Sequence, residues 1–355
     1  MNFRFDPYVQ HLDISDNVIV SLDKTSLRDL GVISLVQLNA SRNYINDIDE
    51  EAFLGQSKLQ TVDLSSNSLM YIEPKTFIRN PSLDILSLSS NQYLQLPNEG
   101  PFLYSQSLRV LKLSDCNFYH IPPETFQKLP NLQELYISHN KFEVLNSVPR
   151  AGSLTFLDVG HNYLTDLQPD IFSDLPELIR LNLSYNRLRT LNMTVMLQMV
   201  KVNSSIDLNG NPLVCDCLMC NTIYSLCHNN NVDLEMVCSS PPEFKGKSWS
   251  NCEDCCVGFN SDCTDKVEEV VMKMERKLPV KAHETYVNQI ESYSFETKIQ
   301  GQKTEDDMIF AYISYALLVI LFSLLIALAV LLYRSKLPLL LRKGSAQSDS
   351  EDYDL

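Results

Sequence analysis

The sequence predicts an α/β solenoid: a parallel-sheet horseshoe of stacked repeats, a disulfide-bonded C-terminal cap and one transmembrane helix. Three observations predict it. An eleven-residue pattern recurs nine times, with successive starts 22 to 26 residues apart. Nine of the ten cysteines crowd between Cys215 and Cys263. The stretch 309–333 runs for 25 residues without a charge. Recurrence at such a period marks an array of one supersecondary unit.

The pattern is clearest in 178–188, LIRLNLSYNRL, with apolar residues at places one, four, six and eleven and an Asn at place nine. Copies start at Val9, Leu35, Leu59, Leu83, Leu108, Leu132 and Leu154, and a weaker one at Asn203. The apolar fourth and sixth places alternate with polar ones, which is the period of a short strand with one buried face. One repeat cannot bury that face alone, so neighbours must stack into a parallel sheet. The ninth-place Asn sits where the chain leaves the strand, and its carboxamide supplies a donor and an acceptor to the turn. Cys116 replaces it once and reads as a buried ladder residue, since nothing nearby lowers its pKa. Phe53, Phe77, Phe102, Phe126 and Phe172 each stand six residues before the next repeat, so they predict a core column behind the sheet. On these residues the chain resembles the extracellular leucine-rich repeats, whose consensus is LxxLxLxxNxL. The resemblance covers roughly residues 1–260.

The expected order is repeats over 1–213, a cysteine-rich cap over 214–263, an extracellular stalk over 264–307, a transmembrane helix over 308–333 and a cytoplasmic tail over 334–355. Residues 1–8 run straight into the first repeat with no signal peptide and no cysteine-bearing cap. The natural product is therefore expected to carry more N-terminal sequence; a minimal cap formed by residues 2–8 is the alternative. Crowded cysteines suggest disulfides and an oxidising compartment, with zinc the rival reading of CDCLMC and CEDCC. Asn211-Pro212, Cys215-x-Cys217, Cys238 and the last cysteines resemble the family's C-terminal cysteine cap. That resemblance implies a Cys215–Cys238 bridge, and Cys217 paired with Cys252, Cys255 or Cys256. Sequons stand at Asn39, Asn182, Asn192 and Asn203. At about 1.5 Å per residue the uncharged stretch spans a bilayer core of about 30 Å. Glu305, Asp306 and Asp307 precede it, and Arg334, Lys336, Arg342 and Lys343 follow. The positive-inside rule then gives a single-pass type I protein of the plasma membrane with its repeats outside.

A formal charge of −15 argues against nucleic acid as partner. No GxSxG, HExxH or phosphate-cradling loop is present, so neither an enzyme nor a cofactor is expected. Solenoids bind on their concave sheet. Most outward places there are Ser, Asp, Gln or Asn; the apolar exceptions Ile85, Val110, Tyr136 and Phe156 cluster in units four to seven and form the candidate ligand patch. Glycans on Asn39 and Asn182 would leave it open between them. Asp115, His139 and His161 share the eighth place of units five to seven, which makes them a candidate column for pH sensing or a partial metal site, with solvated turn residues the bland alternative.

The resemblance to Toll-like receptor ectodomains and related insect adhesion proteins, without an intracellular TIR domain, implies a receptor, adhesion protein or co-receptor for an extracellular protein ligand. A regulatory scaffold that binds another membrane protein in cis through stalk and span is the alternative. Tyr353 and Leu355 fit the C-terminal strand that a PDZ domain adds, against a merely solvated acidic tail.

Overall fold

The computed structural model describes Asp6, residues 8–145 and, with gaps, residues 148–246. The stalk, span and tail, together with Asn192, Asn203, Cys217 and Cys252, lie outside the described residues. In chain order the elements are β1 (His11–Asp13), β2 (Ser21–Leu22), α1 (Ser26–Asp29), β3 (Gln37–Asn39), β4 (Asp47–Ile48), β5 (Thr61–Asp63) and β6 (Ile85–Ser87). They continue with β7 (Val110–Lys112), β8 (Glu134–Tyr136), β9 (Phe156–Asp158), β10 (Arg180–Asn182), β11 (Ser205–Asp207) and β12 (Asp233–Glu235).

Ten of these strands form one parallel sheet in the order β1-β3-β5-β6-β7-β8-β9-β10-β11-β12. The first nine occupy places three to five of their units, and each pairs in register with the same places of the next. The tenth, β12, lies in the cap and extends the sheet by pairing with β11. No copy of the repeat pattern announces it. Strands β2 and β4 make a second, two-stranded parallel sheet.

The fourth-place residues Leu38, Val62, Leu86, Leu111, Leu135 and Leu157 are fully buried, as are the sixth-place Ala40, Leu64, Leu88, Leu113 and Val159. Behind them the Phe53, Phe77, Phe102, Phe126 and Phe172 column is buried, and Phe53 stacks on Phe77 with ring centroids 4.9 Å apart. Each unit so supplies half of a core that only its neighbours complete.

The Asn ladder binds the units to one another. Asn140 Nδ2 donates to the Leu113 and Ile137 carbonyls, both at 3.0 Å, and its Oδ1 accepts from the Cys116 and Phe118 amides, also at 3.0 Å. Asn67, Asn91, Asn162, Asn186 and Asn211 bridge adjacent sixth-place carbonyls in the same manner. Cys116 stands in this row with its thiol 3.3 Å from the Leu88 carbonyl, and burial pushes its pKa up to about 12. At the far end Cys215 and Cys238 form a disulfide, the pairing that the cap resemblance implies.

Candidate functional site

The open face of the sheet carries the side chains of places three and five. Strand register sets them in two rows. The third-place row reads Ile85, Val110, Glu134, Phe156 and Arg180, each paired with the next. The fifth-place row reads Ser87, Lys112, Tyr136, Asp158 and Asn182. The four sequence-derived patch residues therefore lie on four adjacent strands, all half-buried. They do not form one uninterrupted apolar surface, because Glu134 stands between Val110 and Phe156.

The centre of the patch is an aromatic pair held by polar neighbours. The Tyr136 and Phe156 rings meet edge to face, centroids 5.0 Å apart. The Tyr136 hydroxyl donates to Glu134 Oε2 at 2.8 Å. Burial, and then Glu134, push the Tyr136 pKa up to about 12, so the hydroxyl stays a neutral donor. Lys112 Nζ lies 5.4 Å from the Tyr136 ring centroid, and the Arg180 guanidinium lies 4.7 Å from that of Phe156. Both distances are within cation–π reach. Neither cation has an ion-pair partner among the described residues, whereas Arg109 is clamped bidentately by Asp84. The sequence reading missed Lys112, Glu134 and Arg180. It sorted outward places by apolarity, and the signal it lacked was the register that sets a cation beside each ring.

The eighth place forms a second row along the edge of this face. Its backbone is left-handed in every unit from Asp16 to Tyr185, with φ between 52° and 58°, which directs successive side chains alike. His139 and His161 stack with centroids 4.1 Å apart, and Tyr185 continues the stack at 4.4 Å. Gly210 ends it: a Cβ there would sit 2.6 Å from the Tyr185 ring. Asp115 is held by Gln92, whose Nε2 donates to Asp115 Oδ1 at 2.7 Å. The stack borders an open groove of about 360 Å³ lined also by Gln92, Asn117, Lys141 and Tyr163.

Asp115, His139 and His161 do not gather as a three-ligand metal group in this row. Among the described residues no three His, Cys, Asp or Glu side chains converge as a metal site. Imidazole lone pairs lie in the ring plane, and two rings stacked 10° from parallel aim theirs side by side rather than at one ion. Burial, and then the nearby His139, hold the His161 pKa below its ordinary value, with Asp158 opposing.

The two described sequons have a structural role. Asn39 Oδ1 accepts from the Ser41 amide and hydroxyl, and Asn182 Oδ1 likewise from Ser184. Asp13, Asp63, Asp158 and Asp207 close the same turn in their units, so the fifth-place carbonyl or carboxylate is part of the repeat. Asn182 Nδ2 also donates to Asp158 at 2.8 Å and lies over Gly160, where a Cβ would come within 2.8 Å of it.

The chain matches the family model described as Leucine rich repeat over residues 33–92, 106–149 and 152–213. The array is built of leucine-rich repeats. Chaoptin of Drosophila melanogaster is 30% identical over 89 residues, which are 25% of this chain and 7% of chaoptin. The chain thus spans a small fraction of that relative's length. Human 5T4 (Wnt-activated inhibitory factor 1, trophoblast glycoprotein) superposes with a TM-score of 0.50 at 21% identity, covering 74% of this chain and 91% of 5T4. TLR13, in complex with ssRNA13, superposes with a TM-score of 0.51 at 22% identity over 72% of this chain and 40% of TLR13. At such identities these two likenesses speak for the leucine-rich-repeat fold.

Proposed function

We propose that this leucine-rich-repeat chain is a cell-surface receptor, adhesion protein or co-receptor that binds an extracellular protein through its sheet face. The observation that carries the reading is the Tyr136–Phe156 pair, flanked by Lys112 and Arg180 and wedged by Glu134. Aromatic and Arg side chains are the groups that dominate protein interfaces, and a fold has no packing need for them on a face otherwise lined with small polar residues. The fold needs a fifth-place Asx for its turn in many units; Tyr136 and Lys112 give that turn up. Sacrifice of a local rule at adjacent positions is expected where function intervenes.

The same reading includes a type I plasma-membrane topology, supported by the uncharged stretch 309–333, its charge asymmetry and the oxidised Cys215–Cys238 pair. The test is binding of the full chain, held in lipid nanodiscs, to living cells of its source tissue. Tyr136→Ala/Phe156→Ala is expected to reduce binding by about tenfold or more, the scale of an interface hot spot. Unchanged binding by the double variant would refute the assignment of the face.

A further inference from the structure

We infer that the Lys112–Tyr136–Phe156–Arg180 assembly is a site for an extended acidic segment of the protein partner: two carboxylates that flank one apolar side chain. The inference rests on the proposed function and specifies its ligand. Charge complementarity carries it. Arg109 at a second place and Arg42 at an eighth place are each neutralised by a bidentate carboxylate, Asp84 and Asp16. Lys112 and Arg180 have no carboxylate partner among the described residues and are held instead against aromatic faces. A ring orients a cation without neutralising it, so both keep their charge for a ligand. Two carboxylates stand on the same strands, and neither forms an ion pair with Lys112 or Arg180: Glu134 accepts from the Tyr136 hydroxyl, and Asp158 from Asn182 and the Gly160 amide.

The geometry bounds the spacing: Lys112 stands on β7 and Arg180 on β10, three strand intervals of about 4.8 Å apart. The legs from Lys112 Nζ to the Tyr136 ring, across to Phe156 and on to Arg180 measure 5.4, 5.0 and 4.7 Å, so the two cations are at most about 15 Å apart. An extended chain rises about 3.4 Å per residue and shows every second side chain on one face. Acidic residues at i and i+4 are then about 14 Å apart, with i+2 between them on the same face. Such a segment sets a carboxylate at each cation and an apolar side chain on the Tyr136–Phe156 edge. Arg180 offers a planar fork for one carboxylate, and Lys112 a point charge for the other.

The experiment selects peptides from a phage-displayed library of random, disulfide-cyclised hairpins against the immobilised full chain. The expected result is enrichment of acidic residues at i and i+4 around an apolar i+2. A hairpin bearing Glu-Ser-Leu-Ser-Glu on one strand is expected to bind about tenfold more tightly than its Gln-Ser-Leu-Ser-Gln counterpart, with the gap closing in high salt. Lys112→Glu/Arg180→Glu is expected to reverse the preference toward Lys-Ser-Leu-Ser-Lys, an outcome that mere unfolding cannot give. Enriched peptides without acidic preference that still need Tyr136 and Phe156 would overturn this inference and leave the proposed function standing. No enrichment, or enrichment indifferent to all four residues, would overturn the inference; if cell binding also survives Tyr136→Ala/Phe156→Ala, the proposed function falls with it.

Discussion

At the scale of residues, the left-handed eighth place decides more than the repeat pattern suggests. Spacing alone put Asp115, His139 and His161 in one row, but the positive φ that aligns the row is not a sequence signal for residues such as Arg42 and Tyr185. The stack therefore reaches Tyr185, which the sequence reading did not include, and ends on Gly210, where φ is 72° and any Cβ would meet the Tyr185 ring. Gly210→Ala is expected to lower stability by about 1–2 kcal/mol from the backbone alone, with a further loss that Tyr185→Ala relieves. Denaturant unfolding of the single and double variants checks this. The His161 imidazole titrates below the ordinary histidine value because burial, and then His139, disfavour its cation. The unfolded chain then takes up a proton more readily than the folded one. The stabilisation that results is present above a pH of about 6.5 and is lost as pH falls through the folded-state value. NMR titration is expected to place His161 below 6.5 and to show it rising toward that value in His139→Ala; a value that stays fixed would contradict the stacked geometry. Cys116, with its thiol pushed up to about 12, is expected to resist alkylation until the protein unfolds.

At the scale of elements, the ladder explains why such short strands hold. Each strand of the ten-stranded sheet has three residues, too few to specify register by themselves. The ninth-place carboxamide fixes register instead, because it satisfies backbone groups of two units at once. Asn140→Ala leaves the Leu113 and Ile137 carbonyls and the Cys116 and Phe118 amides without this partner, in a buried place. A loss of about 4 kcal/mol or more is expected, since each of the four unsatisfied buried groups costs about 1–3 kcal/mol. Asn17 makes its bonds at an exposed end, to the Ile14 and Ser15 carbonyls, and Asn17→Ala is expected to lose less than about 1 kcal/mol because water replaces the carboxamide. Equal losses at the two positions would contradict the ladder account. The ladder, the strand positions and the phenylalanine column were legible because each repeats with a period, and one unit's environment is the next unit's. Strand β12 was not legible: its place in the sheet comes from tertiary pairing with β11 after the pattern has ended. The cations beside Tyr136 and Phe156 were missed for a related reason. They matter only through neighbours 24 residues away, such as Lys112 and Tyr136, whose juxtaposition is a property of the stack.

At the scale of the whole molecule, a solenoid distributes stability along its length and leaves one face free of packing duties. The Cys215–Cys238 bridge ties the cap beside the last units, and reduction is expected to lower stability by about 2–5 kcal/mol, measured by unfolding with and without reductant. On the free face most units present small polar groups, and four adjacent strands do not. That contrast underlies the proposed function: β7 to β10 carry an aromatic pair, two cations and two carboxylates in one place, the face proposed to meet the partner. The most direct measurement is photocrosslinking in living cells. A photoreactive phenylalanine analogue replaces Phe156 in one full-length variant and Ile78, exposed beside the buried phenylalanine column, in another. The account predicts that the analogue at 156 captures a discrete extracellular protein and that the analogue at 78 does not. Capture of the same protein at 78 alone, or at both positions equally, would contradict it.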